Sequence, residues 1–474
     1  MIPSKDIDIS IIDVFILLID DTGPMKDICT ATKKSFLSVM NKPILFYQLE
    51  FLERQNIKDV HLLIKPDDIE ITKLVESYKG NIKIDYIEVK NEGLEIFNLI
   101  KNKLTKNNFI LIEGDSILSF DLGQCIDYHI DNKNLITLTL QKKEAELKKM
   151  QKFREDITEA FGIDHNENNR IVYYCRNKSN DEYLNINKRI FKRFSNFNLY
   201  LNYLDGGFYI FNNAIFDIIE FIKTKMENKI KEEDDEKKKE DLKNKLKSLN
   251  NLKEGFIPYL IKRTFSKDLN MILIEKFTNK LLKADRVKIG TKLINNEKNI
   301  QSEFFYKIYD YPSYFNIIEE IQKPYSDIRP IFFQTKNNIK NYFYNFADKI
   351  SENLENKKKF NEGISEIEFI SADSYIADGI KNIEKQVILN KTIADKNLEI
   401  KEGSKVLSCN IGQDSKIGKN CKLKDCIVGK FCEIGDNCDI SECIIADYYK
   451  TREGVNASQA VLNSENEGLI FKEN

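Results

Sequence analysis

The sequence predicts an α/β domain with a mostly parallel sheet, followed by a parallel β-helix. Three observations predict it. Short apolar runs alternate with helical patterns between Asp13 and about residue 140. Aliphatic residues near the C-terminus recur at steps of six, six and five. A polar connector at 331–365 lies between the two patterns.

Asp13-VFILLI-Asp20 reads as a buried strand, and Pro43-ILFYQLEFLERQ as an amphipathic helix. Asp59-VHLLI is the next strand, Asp68 to Tyr78 a helical stretch, and Ile82 to Val89 another strand. Asn108-FILIEGD is a buried strand ending in Gly114-Asp115, and Leu135-ITLTL follows. Strands separated by helices in this way imply βαβ units and a parallel sheet. Residues 231–240, KEEDDEKKKE, form a run of ten charges. The stretch from about Lys223 to Leu249 is expected to bury no face, as a solvated insertion that is disordered or a charged helix. The expected domains are 1–330 with its insertion at about 223–250, the connector 331–365, and the β-helix 366–474.

The repeat runs from Ala394 through Ile400, Val406, Ile411, Ile417, Leu423, Val428, Ile434, Ile440 and Ile445. One coil is therefore 17 residues with three flat sides. Gly412, Gly418, Gly429 and Gly435 each follow an aliphatic position, where a sharp corner is needed. Six of the nine cysteines, Cys409, Cys421, Cys426, Cys432, Cys438 and Cys443, stand two residues before an aliphatic position. Residues i and i−2 of a strand share a face, so these thiols point inward as small core residues. No CxxC pair is present to make a zinc site. The β-helical acyltransferases need a histidine base in the helix, but His61, His129 and His165 all lie upstream. Each of the three is expected at the surface or in a cap.

Composition excludes several classes. Lys+Arg 73 against Asp+Glu 75 gives a net charge of −2, so no basic field marks a nucleic-acid or membrane binder. The run Val14 to Ile19 is far short of the roughly 20 residues that cross a bilayer. The first ten residues, MIPSKDIDIS, carry no signal pattern. A soluble, cytosolic protein is expected.

A parallel-sheet domain followed by hexapeptide repeats resembles the sugar-nucleotidyltransferases. The resemblance implies a Rossmann-like domain and a left-handed β-helix. In that family a Gly-rich loop after the first strand holds a triphosphate on backbone N–H groups, with Lys or Arg neutralising it. Matching Asn41-Lys42-Pro43 to the family's NKP places Asp20, Asp21, Thr22, Gly23, Pro24 and Met25 on that loop. Two carboxylates then stand where phosphate would sit, and Pro24 removes an N–H donor. Lys33-Lys34-Ser35 replaces the family's Pro-Lys-Pro, leaving Lys34, and Asp115 matches the metal-binding aspartate. A lone carboxylate is a poor Mg²⁺ site without a phosphate cradle. The expectation is a retained fold with lost chemistry: no catalytic residue, no metal and no cofactor.

A degenerate transferase domain with a β-helix resembles the gamma subunit of eukaryotic translation initiation factor 2B, the guanine-nucleotide exchange factor for initiation factor 2. Asn41-KPILFYQLEFLERQNIKDV, Gly255-FIPYLIKRTFSK and Lys424-DCIVGKFCEIGDNCDISECIIADYYKTREG carry the likeness. The charged run precedes the Ile-Pro-Tyr-Leu segment here. The family's catalytic epsilon subunit adds a C-terminal helical-repeat domain, whereas 29 residues follow Ile445. The resemblance thus implies a non-catalytic chain that pairs with epsilon and the other subunits, with initiation factor 2 as substrate. The alternatives are an active sugar-1-phosphate nucleotidyltransferase, such as a mannose-1-phosphate guanylyltransferase, or the regulatory companion of one.

Overall fold

The computed structural model describes residues 11–19, 25, 28, 33–39, 42–66, 68–90, 93–143, 149–150, 158–177, 186, 188–194, 196–264, 288–294, 304–322, 344–345, 369–370, 375–376 and 382–463. Most of the connector 331–365 lies outside them. The chain divides into two units. One comprises Met1–Ile19, Gln48–Lys143 and Asp156–Lys307, and the other Asp20–Tyr47, Glu144–Glu155 and Ile308–Asn474.

Along the chain run β1 (Ile12–Leu17), β2 (Ser38–Val39), β3 (Lys42–Pro43), α1 (Ile44–Arg54), β4 (Asp59–Ile64), α2 (Ile69–Glu76), β5 (Lys83–Glu88) and α3 (Glu95–Lys103). There follow β6 (Asn108–Glu113), β7 (Ser116–Ser119), α4 (Leu122–Asp131), β8 (Ile136–Lys142), β9 (Thr158–Asp164), β10 (Arg170–Asn177), α5 (Lys188–Arg193), β11 (Asn198–Tyr200) and β12 (Tyr203–Asn212). The helices α6 (Ala214–Glu232), α7 (Glu236–Ser248) and α8 (Ile257–Arg263) precede β13 (Ile289–Ile294), β14 (Phe304–Lys307) and α9 (Tyr311–Gln322).

The first unit is built on a ten-stranded sheet in the order β11-β9-β10-β13-β8-β12-β6-β1-β4-β5. The predicted parallel α/β arrangement is present: β1 runs parallel to both β4 and β6, β4 to β5, and β8 to β13. Antiparallel strands complete it. β12 inserts between β6 and β8, and β9 pairs antiparallel with both β10 and β11. The strand order reverses at β1, with β4 on one side and β6 on the other. The carboxyl ends of β1 and β6 therefore open onto the crevice where such sheets bind ligands. Beneath them the core packs Phe109 against Phe211 and Phe216, at ring-centroid distances of 5.1 and 5.5 Å.

The charged insertion is helical, one of the two forms expected. Within it Met226 of α6 and Leu249 at the end of α7 are buried, whereas Ile215, Ile218, Ile219 and Ile222, which make most of the apolar stripe of α6, precede it. α7 itself buries nothing, and Asp235 caps it by accepting from the N–H groups of Lys237 and Lys238. His129 departs from the predicted surface position, being 1% exposed within α4.

The second unit contains the β-helix. Successive coils pair in parallel register 17 residues apart, as in Ile400↔Ile417, Val406↔Leu423 and Ile411↔Val428. The aliphatic ladder and all six cysteines are buried, as the sequence predicts. The thiols donate to carbonyls along the stack, for example Cys421 to Gly435 O at 3.0 Å and Cys432 to Ala446 O at 3.1 Å. The three flat faces differ in what they turn outward. One carries Glu399, Lys416 and Glu433, continued by Lys450, and a second carries Lys405, Lys422, Asp439 and Asn456. The third turns out Ile393, Asn410, Ile427, Ile444 and Val461, which are all buried. Phe36, Leu37 and Tyr314 share a small cavity with Ile427 and Ile444, so this face is covered within the unit.

Candidate functional site

The sheet's switch point holds a buried charge cluster. β6 ends in Glu113, and the turn Gly114-Asp115 leads into β7. Gly114 N–H donates to Leu17 O at 3.0 Å, which ties the turn to β1. Gln48 Nε2 donates to Glu113 O and Ser116 O at 2.7 and 2.8 Å, holding the turn from α1. β7 pairs antiparallel with β14, placing Lys307 opposite Ser116. Lys253 comes from a short π-helical turn at Leu252–Phe256, where the Asn251 side chain accepts from the N–H groups of Lys253 and Glu254.

These elements bring opposite charges together. Lys253 Nζ lies 2.6 Å from Glu113 Oε2, and Lys307 Nζ contacts the same oxygen. Lys307 also lies 3.0 Å from Asp115 Oδ1. Deeper in the domain, Glu159 Oε1 faces Arg176 Nη1 at 3.3 Å, and Glu159 Oε2 accepts from Asp205 N–H. Asp205 accepts from Tyr209 Oη at 2.9 Å and from Gly207 N–H at 2.9 Å. Lys253, Lys307, Glu159 and Asp205 are all under 9% exposed.

Burial and pairing compete in setting the ionisation here. Burial would raise the Glu113 carboxyl, but Lys253 and Lys307 outweigh it and hold it well below the usual carboxylate range. Burial likewise opposes the Lys307 charge, and Asp115 and Glu113 reverse that, pushing it up. Burial dominates at Lys253, which is lowered, and at Glu159, which is raised. The cluster is internally compensated, as buried charges must be.

Lys253 and Lys307 are thus engaged by carboxylates of the same chain. Asp115, which matches the transferases' metal-binding aspartate, is engaged by Lys307, and a Mg²⁺ there would compete with that ion pair.

The loop residues Asp20, Asp21, Thr22, Gly23 and Pro24 lie outside the described residues. Lys34 is buried in a short helical turn of the second unit, and Asp115 sits in the cluster of the first. Glu113, Glu159, Arg176, Asp205, Lys253 and Lys307 escaped the sequence reading. One signal was visible. Asp205-Gly206-Gly207 interrupts an apolar strand, which marks a bulge or a close approach. The strand register indeed shifts between Asp205 and Tyr209.

The fold is that of a nucleotidyltransferase-like domain and a hexapeptide-repeat β-helix. The family model described as GlmU-like, C-terminal hexapeptide matches residues 358–456. The chain is 25% identical over 244 residues to translation initiation factor eIF2B subunit gamma of Dictyostelium discoideum, covering 48% of this chain and 51% of that one. It is 27% identical over 210 residues to D-glycero-alpha-D-manno-heptose 1-phosphate guanylyltransferase of Aneurinibacillus thermoaerophilus, covering 43% and 76%. The bifunctional protein GlmU of Methanococcus maripaludis is 22% identical over 210 residues, covering 44% and 42%. The resemblance to the gamma subunit of this initiation factor is thus borne out, and the chain spans about half the length of that relative. No described helix is long and apolar enough to cross a membrane.

Proposed function

We propose that the chain is a non-catalytic, gamma-type subunit of the initiation factor 2B exchange complex, acting in the cytosol. It pairs with an epsilon-type subunit and supports GDP/GTP exchange on initiation factor 2. The observation that carries this reading is the engagement of Lys253 and Lys307 by Glu113 and Asp115 at the switch point. A pocket that neutralises its own cations has little left to offer a triphosphate. The sequence of the preceding loop agrees: Asp20 and Asp21 would repel phosphate, Pro24 lacks an N–H, and Thr22, Gly23 and Lys34 alone do not make a cradle. The domain then serves as a scaffold. An exchange factor works by holding the nucleotide-free state of its substrate more tightly than the loaded state, and a scaffold subunit contributes contacts or fixes the catalytic subunit's position.

The test is purification of the tagged chain from its own cells, with identification and stoichiometry of the chains that accompany it. Recovery with a longer homologous subunit, other exchange-factor subunits and initiation factor 2 supports the reading. A homo-oligomer, or a complex with a nucleotidyltransferase alone, rejects it. The second reading, a sugar-1-phosphate nucleotidyltransferase or its companion, draws on the likeness to the guanylyltransferase. Formation of a nucleotide sugar from a sugar 1-phosphate and GTP would establish the enzyme.

A further inference from the structure

The net charge of −2 conceals a local surplus. From Leu242 to Arg263 the sequence carries six cations against one carboxylate, Glu254. The fold settles where the charges go. Glu236 and Glu240 take up Lys239 and Lys243 at 3.5 and 3.7 Å, so the first half of α7 neutralises itself. Glu254 turns to Arg176 at 4.0 Å, and Lys253 is buried against Glu113. Lys245, Lys247 and Lys262 are left exposed, with no ion pair among the described residues.

Three helix ends bring cations together. Lys245 lies in the last turn of α7, Lys262 and Arg263 in that of α8, and Lys229 in that of α6. The dipole at a helix C-terminus favours a cation, which offsets the repulsion between neighbours. Their closeness is felt at Lys245: burial, then the like charges of Arg263, Lys262 and Lys229, lowers its ammonium. Tyr259 lies among them. Its ring is half-buried at the rim of the core, with Lys245 Nζ 6.0 Å and Arg263 Cζ 5.2 Å from its centroid.

Cations around an aromatic ring suit a single strand of nucleic acid. The charges meet successive phosphates, and the ring meets a base of any kind. An acidic peptide would answer the charges and leave the ring unused. An anionic membrane would call for large apolar side chains to enter the acyl boundary, and no exposed one lies between Leu242 and Arg263.

We propose that Lys229, Lys245, Lys262 and Arg263, with Tyr259, form a binding surface for single-stranded RNA. The choice of RNA over DNA rests on the cytosolic role proposed above.

The test is fluorescence anisotropy of the full purified chain with a labelled single-stranded RNA of about 12 nucleotides, over a series of salt concentrations. The patch variant is Lys245→Gln/Lys262→Gln. Lys58→Gln/Lys106→Gln removes the same charge from exposed positions elsewhere in the first unit. The melting of every variant is measured alongside. Wild type should bind saturably, more weakly as salt rises. The patch variant should lose at least about 10-fold, and its log–log salt slope should shrink by about 1.4, or roughly 0.7 for each phosphate contact removed. The control pair should change neither. Tyr259→Leu should weaken binding by roughly 5- to 100-fold at an unchanged slope, and Tyr259→Phe should bind as wild type does. RNA should bind at least as tightly as DNA of the same sequence.

No saturable binding at low salt overturns the proposal. An equal loss in the control pair does so too, because the charge would then act from the whole surface. Polyglutamate binding that depends on Lys245 and Lys262, with RNA binding indifferent to Tyr259→Leu, overturns the strand and assigns the patch to an acidic protein. A preference for DNA overturns the assignment to RNA. The subunit reading is untouched by each of these results, since it stands on the companions recovered with the chain.

Discussion

Gly207 makes room for Glu113. A Cβ on Gly207 would lie 2.4 Å from Glu113 Oε2, and the residue holds φ at +78°. The same absent side chain would meet Lys307 Nζ at 2.9 Å. A glycine in the strand that faces β6 is therefore what lets the buried ion pair close.

Gly207→Ala should be costly twice, through positive φ and through displacement of the pair. The expected loss is roughly 2–4 kcal/mol. Urea unfolding at pH 7 measures it, and a loss within about 0.5 kcal/mol of zero would remove the tight fit claimed here.

Lys307→Met leaves Glu113 and Asp115 to Lys253 alone. At pH 7 the expected cost is about 3–5 kcal/mol, because a buried charge loses its partner. The sign of the pH dependence follows from Glu113. Its carboxyl is held low in the folded state, so its contribution is present above the unfolded carboxylate value and is lost as pH falls through the folded one. The gap between wild type and Lys307→Met should therefore narrow in acid. A gap that widens in acid contradicts the pairing.

His129 gives a second pH signature. Burial lowers its imidazole to about 3, with Nδ1 2.9 Å from Thr137 Oγ1. Unfolded, it titrates near 6.5, so between those values the unfolded chain binds the extra proton. Stability should drop as pH falls through this window, by up to about 1.4 kcal/mol per unit from this residue. His129→Phe should flatten the curve between pH 4.5 and 6.5. An unchanged slope would mean the histidine is reached by solvent.

The six thiols from Cys409 to Cys443 are buried, and burial pushes Cys432 and Cys443 up to about 12. A thiol reagent at pH 8 should leave all six unmodified in the folded chain and react with them in denaturant. A metal chelator should not shift Tm. Native labelling, or melting on chelation, would reopen the metal reading.

The repeat was legible because its period is local. Inward positions recur every 17 residues, and each cysteine sits at a fixed offset from an aliphatic neighbour. The same ladder carries a further signal. Ile393, Ile427, Ile444 and Val461 are outward apolar positions on one face, and their chemistry alone calls for a cover. The charge cluster was not legible, for a physical reason. Glu113 and Lys307 are 194 residues apart in sequence, and Lys253 is 140 from Glu113. No periodicity links them; the crossing of β6, β7, β12 and β14 does. The insertion at 223–250 was legible from its charge run, since α7 is a charged helix that buries no side chain.

The proposed loss of nucleotide chemistry at the switch point is tested most directly by titration of the purified chain with GTP and with ATP, each with excess Mg²⁺. No saturable binding up to millimolar nucleotide and no pyrophosphate release with sugar 1-phosphates are expected. Micromolar, Mg²⁺-dependent binding accompanied by pyrophosphate release would contradict it.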